Sequence, residues 1–223
     1  PTQDLTLYYS QGREERWRNT ITAGKVISEY ESTDVLKRQQ MSLTHDKDWS
    51  WGHTQVRGYR NQLQRENHRS AGQKSNDPQK IIGSVVDGQI TFDPFYQHRL
   101  TVGSEWRKEE LEDLSVNSHG QDQAIHRAVF LQDEWQLAQD WSLTLGSRLD
   151  QHEAFGWEHS PRAYLMYQFN PDWQMRIGAG RGYKAPSLKQ LSACYNSIGG
   201  GGRFTIYGNP DLQPETNTTY EWG

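Results

Sequence analysis

The 223-residue sequence predicts an all-β fold, an antiparallel transmembrane β-barrel, here a partial barrel of about ten strands. Three observations predict it. Apolar residues recur at every second position in segment after segment, the period of a strand with one greasy face. Only 33% of the residues are hydrophobic, yet there are 9 Trp, 11 Tyr and 6 Phe. The mean hydropathy is −0.97. Disordered chains share the low hydropathy but lack the aromatics. A barrel in which every second strand residue meets lipid, while its loops meet water, shows both. Finally, short turns and long polar loops alternate along the chain, with short turns at one end of the barrel and long loops at the other.

The elements follow in order. Leu5, Leu7 and Tyr9 alternate with Thr6 and Tyr8 as a first strand, and Ser10 to Ser32 reads as a strand extension running into an exposed loop. Asp34 to Thr44 is a weak strand that turns at Asp46-Lys47-Asp48. Trp49 to Gln64 returns, with Trp49 and Trp51 on one face, and Arg65 to Gln79 is a second polar loop. Ile82, Val86, Ile90 and Phe92 share a face, Asp93-Pro94-Phe95-Tyr96 turns the chain, and Leu100, Val102 and Trp106 face one way on the way back. Leu111 to Gln123 is a third loop.

Val129, Leu131, Trp135 and Leu137 then alternate with Phe130, Gln132, Glu134 and Gln136, up to a turn at Ala138-Gln139-Asp140. Trp141, Leu143, Leu145 and Leu149 form the next apolar row, and Ala163, Leu165, Tyr167 and Phe169 the one after. Asn170-Pro171-Asp172 turns into Trp173, Met175, Ile177 and Ala179. Thr216 to Trp222 is a last, Thr- and aromatic-rich strand. Trp49, Phe95, Tyr96, Trp141, Phe169 and Trp173 lie beside short turns, where a girdle at the membrane–water boundary belongs. Arg99, Glu105, Glu134, Arg148, Asp150 and Arg176 sit on the polar face; Asp133 is a charge on the apolar face, to be explained by a bulge or by the membrane rim.

Composition excludes several functions. No run of about 18 apolar residues is present, so no transmembrane helix is expected. The formal charge of −4 without a basic block gives no reason to expect nucleic acid. The single cysteine, Cys194, cannot form an internal disulfide. The eight His are scattered and read as solvated loop or lumen residues, with no metal-ligand spacing. No nucleophile–base pair is visible, so no catalytic residue, metal or cofactor is expected and the chain is read as no enzyme. Gly199-Gly200-Gly201-Gly202 lacks the Lys-Ser/Thr of a phosphate loop and reads as flexible loop. The acid pairs Glu109-Glu110 and Glu112-Asp113 read as a solvated face.

Two motifs flank that glycine run. The first is Arg181-Gly182-Tyr183-Lys184-Ala185-Pro186-Ser187-Leu188-Lys189-Gln190-Leu191; the second is Tyr207-Gly208-Asn209-Pro210-Asp211-Leu212-Gln213-Pro214-Glu215-Thr216. With Phe130 to Trp135 and Leu143 to Asp150 upstream, they resemble the signature of TonB-dependent outer-membrane receptors of the ferric siderophore type. The resemblance implies a bacterial outer-membrane location and a barrel of about twenty-two strands around an N-terminal plug. Residues 1–223 would then be part of that barrel, with plug domain and terminal strands absent. It further implies uptake of a ferric siderophore, or else of haem or cobalamin, energised through a TonB complex that acts on the plug. Outer-membrane lipid is a partner, and so is the rest of the barrel or the barrel-assembly machinery. The loops could instead be docking surfaces for bacteriocins or phages. Ferric catecholates are anionic and aromatic, so Arg203, Phe204, Tyr195 and Tyr207 are candidate ligand contacts, as are Arg13, Arg16, Arg18, Arg65 and Arg69 in other expected loops. Arg148 and Arg176 are expected to pair with plug acids. Lys184 to Leu191 is expected to turn or start a helix after Pro186 stops strand pairing.

Overall fold

The computed structural model describes residues 2–22, 28–199 and 203–223. Ten strands form one antiparallel sheet: β1 (Gln3–Thr22), β2 (Ser28–Trp49), β3 (Gly52–Arg69), β4 (Gln79–Phe95), β5 (His98–Glu112), β6 (Gln121–Ala138), β7 (Trp141–His152), β8 (Gly156–Asn170), β9 (Trp173–Lys184) and β12 (Glu215–Trp222). Between β9 and β12 lie α1 (Leu188–Leu191) and a separate hairpin of β10 (Asn196–Gly199) and β11 (Phe204–Tyr207). Each strand of the large sheet pairs with its neighbour in sequence, and β12 continues the series on β9. β1 and β12 are edges that do not pair with each other, so the barrel is open in this chain. Open edges are not tolerated in lipid, so the two edges mark where a closed barrel would need further strands.

Cross-strand partners share a face. Leu7 lies opposite Leu43, Val102 opposite Leu131, and Ile177 opposite Trp222, and all six side chains are exposed. For a soluble protein that band would be a liability; its solvent is lipid. The other face is polar and paired. Arg57 meets Asp87 at 3.1 Å, Arg107 meets Glu105 at 3.0 Å, and Arg148 bridges Glu105 at 3.4 Å and Asp150 at 3.0 Å. Arg176 reaches Glu221 at 3.8 Å. Arg148 and Arg176 thus find carboxylates within the sheet itself, one or two strands away or two residues along the same strand. Phe130 is an aromatic on the polar face, and it packs over Gly103, where a Cβ would stand 2.2 Å from its ring.

Connections of two residues, at 50–51, 96–97, 139–140 and 171–172, all lie at one end of the sheet. The connections at 70–78, 113–120, 153–155 and 185–214 lie at the other. Aromatic pairs gather at the short-turn end: Trp49 on Trp51 at 5.9 Å, Trp141 on Tyr167 at 4.4 Å, and Trp135 on His98 at 5.0 Å. Register shifts near Phe95, Ala138 and Asn170 re-aim the chain at this rim. Asp133 stays in regular register and pairs with His98 at 2.9 Å, beside the stacked Trp135, so the rim explains it and a bulge does not.

Several boundaries differ from expectation, for one reason. A strand crosses a bilayer with about 9–11 residues, whereas β1 has 20 residues and β2 has 22. Their upper halves stand in water on both sides, so the apolar alternation that marks a strand is lost there. Most of Ser10 to Ser32 is therefore strand, stitched to β2 by Arg38 to Glu14 at 2.8 Å, while Lys37 to Glu66 at 2.8 Å and Arg65 to Asp34 at 3.0 Å stitch β2 to β3. Residues 23–27 of that stretch lie outside the described residues. Arg13, Arg16, Arg18, Arg65 and Arg69 accordingly sit on β1 and β3, not on loops. The turn expected at Asp46 to Asp48 falls at 50–51, because Gln55 holds Asp46 and His53 holds Asp48, both at 2.8 Å, and pairing continues.

Candidate functional site

The connection from β9 to β12 is built in two steps from its two motifs. The alternation of Trp173 to Ala179 carries β9 upward until Pro186, which has no N–H to give to a ladder. Ser187 then caps α1: the Gln190 N–H donates to Ser187 Oγ at 3.4 Å, and the Ser187 N–H donates to Gln190 Oε1 at 2.9 Å. Ser-x-x-Gln is the local sequence pattern of such a capping box, a signal that could have placed the start of α1 more sharply. The second motif folds back on α1. The Asn209 N–H donates to the Gln190 carbonyl at 2.7 Å, and the Gly208 N–H to the Tyr195 carbonyl at 2.9 Å. Asn209 Oδ1 accepts from the Asp211 N–H at 3.0 Å in a turn through Pro210 that the Leu212 N–H closes on the Asn209 carbonyl at 3.3 Å, and β12 begins at Glu215, opposite Lys184.

The expected start of a helix after Pro186 is therefore present, and the motif residues serve architecture. Arg181 pairs with Glu158 at 3.3 Å, and Lys184 with Glu215 at 3.9 Å. Gly182 lies opposite Asn217. The Tyr183 hydroxyl is buried and makes no hydrogen bond among the described residues. Ala185, Pro186 and Ser187 roof a cavity of about 590 Å³. Its walls include Glu105, Arg107, His126, Arg148, Asp150 and Tyr183, a charge-balanced lining suited to polar groups. A second cavity, of about 510 Å³, lies between Leu188 and the apolar side chains Leu63, Ile81 and Leu111.

The four candidate ligand contacts are not gathered at one point. Tyr195 and Tyr207 stand at the base of the β10–β11 hairpin, Tyr195 half-buried with Lys189 Nζ 5.4 Å from its ring and Tyr207 exposed opposite Asn196. Arg203 and Phe204 are exposed at the far end of the hairpin, Phe204 opposite Gly199. Residues 200–202 of the glycine run lie outside the described residues. Cys194 is a free, exposed thiol in the same connection.

The structure also brings forward residues that the sequence did not mark. Asp113 was read as part of a solvated acidic face; its side chain is 2% exposed and lies 2.7 Å from Lys189 Nζ. Burial alone pushes the Asp113 carboxyl up, but the Lys189 ammonium and the Ser115 hydroxyl and N–H outweigh it and hold it below the usual carboxylate range. The Ser192 hydroxyl donates to the Val116 carbonyl. His126 and His152 were read among solvated histidines; their rings pack edge to face at 4.2 Å, and His152 is buried. Nothing local announces these partners, since each pair joins distant segments. No group of three or more metal-ligating side chains occurs among the described residues.

An open antiparallel wall with an apolar outer band, an aromatic rim at its short turns and a long connection folded over its polar face defines a segment of an outer-membrane receptor barrel. Residues 2–223 match the family model for the β-barrel of TonB dependent receptor-like proteins, and the chain belongs to that family. It resides in the outer membrane. Among curated relatives, it is 33% identical over 188 residues to the iron-regulated outer membrane virulence protein of Vibrio cholerae serotype O1, covering 83% of this chain and 27% of that protein. It is 25% identical over 278 residues to the ferrienterobactin receptor of Escherichia coli K12, covering 100% of this chain and 36% of the receptor. The crystal structure of the siderophore receptor PirA from Pseudomonas aeruginosa superposes with a TM-score of 0.76 at 24% identity, over 99% of this chain and 46% of that one. The chain thus spans about a third of the length of the curated relatives named here.

Proposed function

We propose that this wall belongs to a receptor that takes up a ferric siderophore across the outer membrane, energised through TonB acting on a plug held by the complete barrel. The observation that carries the reading is the folded-in connection between β9 and β12. It offers aromatic rings and a guanidinium (Tyr195, Phe204, Tyr207 and Arg203) beyond a charge-balanced wall. Ferric catecholates are anionic and aromatic, and Arg with Tyr or Phe meets both properties by charge, cation–π contact and stacking. The wall arginines Arg57, Arg107 and Arg148 are already matched by carboxylates, which leaves anion capture to the loops. The relatives that bear siderophore names support the same class.

The test is a tryptophan-fluorescence titration of the complete receptor with ferric catecholates, ferric hydroxamates, haem and cobalamin. Saturable quenching by a ferric catecholate, weakened by Arg203→Ala, is the expected result. Silence with every siderophore and saturation with haem or cobalamin would move the assignment to that ligand. Silence with the whole panel would favour a docking surface.

A further inference from the structure

The connection at 185–214 is long, and α1 within it has only four residues. An isolated helix that short does not hold itself together in water, and ordering a long loop costs conformational entropy. Contacts within the connection tie α1 to the second motif, and a partner outside it is needed to fix that unit in place over the wall. The loop at 113–120 is built for that task. It is closed by the Asp113 N–H on the Gly120 carbonyl at 2.8 Å and by the Val116 N–H on the Asp113 carbonyl at 3.1 Å. Asn117 Oδ1 accepts from the His119 and Gln121 N–H groups at 3.0 and 3.2 Å, so the turn is closed by its own hydrogen bonds. Asp113 Oδ1 is occupied by Ser115, at 2.9 Å from its N–H and 2.6 Å from its hydroxyl, which aims Oδ2 at Lys189. Val116, 3% exposed, receives the Ser192 hydroxyl. These two contacts hold both ends of the segment from Lys189 to Ser192, immediately before Cys194 and Tyr195.

We propose that the β5–β6 loop is a cradle for the ligand loop, with Asp113 and Lys189 as positioning residues that hold Tyr195 and the β10–β11 hairpin over the lumenal wall. The cradle itself stands on geometry; its effect on ligand residence rests on the siderophore reading above. The cradle slows release of a ligand held under the hairpin, because an anchored loop opens less often.

The test uses the complete receptor, with thiols outside these residues replaced by Ser and a nitroxide spin label on Cys194. In Lys189→Met the mobile fraction of the label rises. Lys189→Arg, which keeps the cation, leaves it as in the wild type. Adding Asp113→Asn to Lys189→Met produces no further rise, because the pair is already broken. Release of the bound siderophore accelerates roughly tenfold in Lys189→Met, with the association rate unchanged. An unchanged label spectrum in Lys189→Met would overturn the cradle. A mobile label with an unchanged release rate would overturn its positioning role. A wild-type receptor that binds no siderophore, while the label still responds to Lys189→Met, would sink the uptake reading and leave the cradle in place.

Discussion

The α-carbon of Gly208 packs against the carbonyl oxygen of Ser192 so closely that a Cβ at Gly208 would stand 2.0 Å from it and 2.8 Å from the Lys189 carbonyl. Both atoms are backbone and neither can rotate away. The contact locks the second motif onto the end of α1 and makes the glycine a condition of the loop's shape.

Gly208→Ala is therefore expected to undock the β10–β11 hairpin while the wall stays paired. Overpacking of this kind costs about 1–3 kcal/mol. Limited proteolysis of the complete receptor should cut within residues 185–214 faster than in the wild type, with the heat-modifiability of the barrel on gels unchanged. Equal cutting rates would show that the connection absorbs the extra methyl group.

The Asp113–Lys189 contact sets a pH dependence. Asp113 is depressed in the folded state, so its contribution is fully present above the unfolded carboxylate value and is lost as pH falls through the folded one. A spin label at Cys194 should be equally immobile from about pH 8 to about pH 5 and should loosen below about pH 4. In Asp113→Asn the label should be looser throughout and flat with pH. Loosening near neutral pH would point to a different titrating group.

Face assignment is tested by adding charge. Leu131 lies on the apolar face opposite Val102, and its neighbour Gln132 on the polar face opposite Thr101. Leu131→Arg should destabilise the receptor in lipid vesicles by about 2–4 kcal/mol, and Gln132→Arg by much less. Urea unfolding of the two variants gives the comparison directly, and equal losses would refute the two-faced wall.

The wall's ion pairs differ in value with their burial. Arg148 serves Glu105 and Asp150, whose side chains are 18% and 21% exposed, whereas the Arg13–Glu15 pair is 66% and 55% exposed. Arg148→Met leaves Asp150 unpartnered and should cost about 1–3 kcal/mol. Arg13→Met should cost nothing measurable, since exposed pairs are screened and mobile. The same unfolding assay separates the two outcomes.

Sequence alone determined the parts of this protein in which one strand face meets lipid. Val102, Leu131, Leu145 and Ile177 stand in rows of period two, and Ala138 to Asp140 and Asn170 to Asp172 mark tight turns, because lipid on one side and polar groups on the other impose alternation residue by residue. The same reading expected a turn or helix start between Lys184 and Leu191, but the capping box at Ser187 and Gln190 came from the structure. It lost the upper halves of β1 and β2, where water bathes both faces and no alternation is selected; there only register shows that Glu14 meets Arg38. Tertiary structure alone decided that Asp113 is a buried partner of Lys189, that His126 packs on His152, and that Gly208 must be glycine. Each of these facts depends on which distant backbone arrives at a side chain, and a barrel with a folded-in loop brings together residues whose sequence neighbours carry no trace of the meeting.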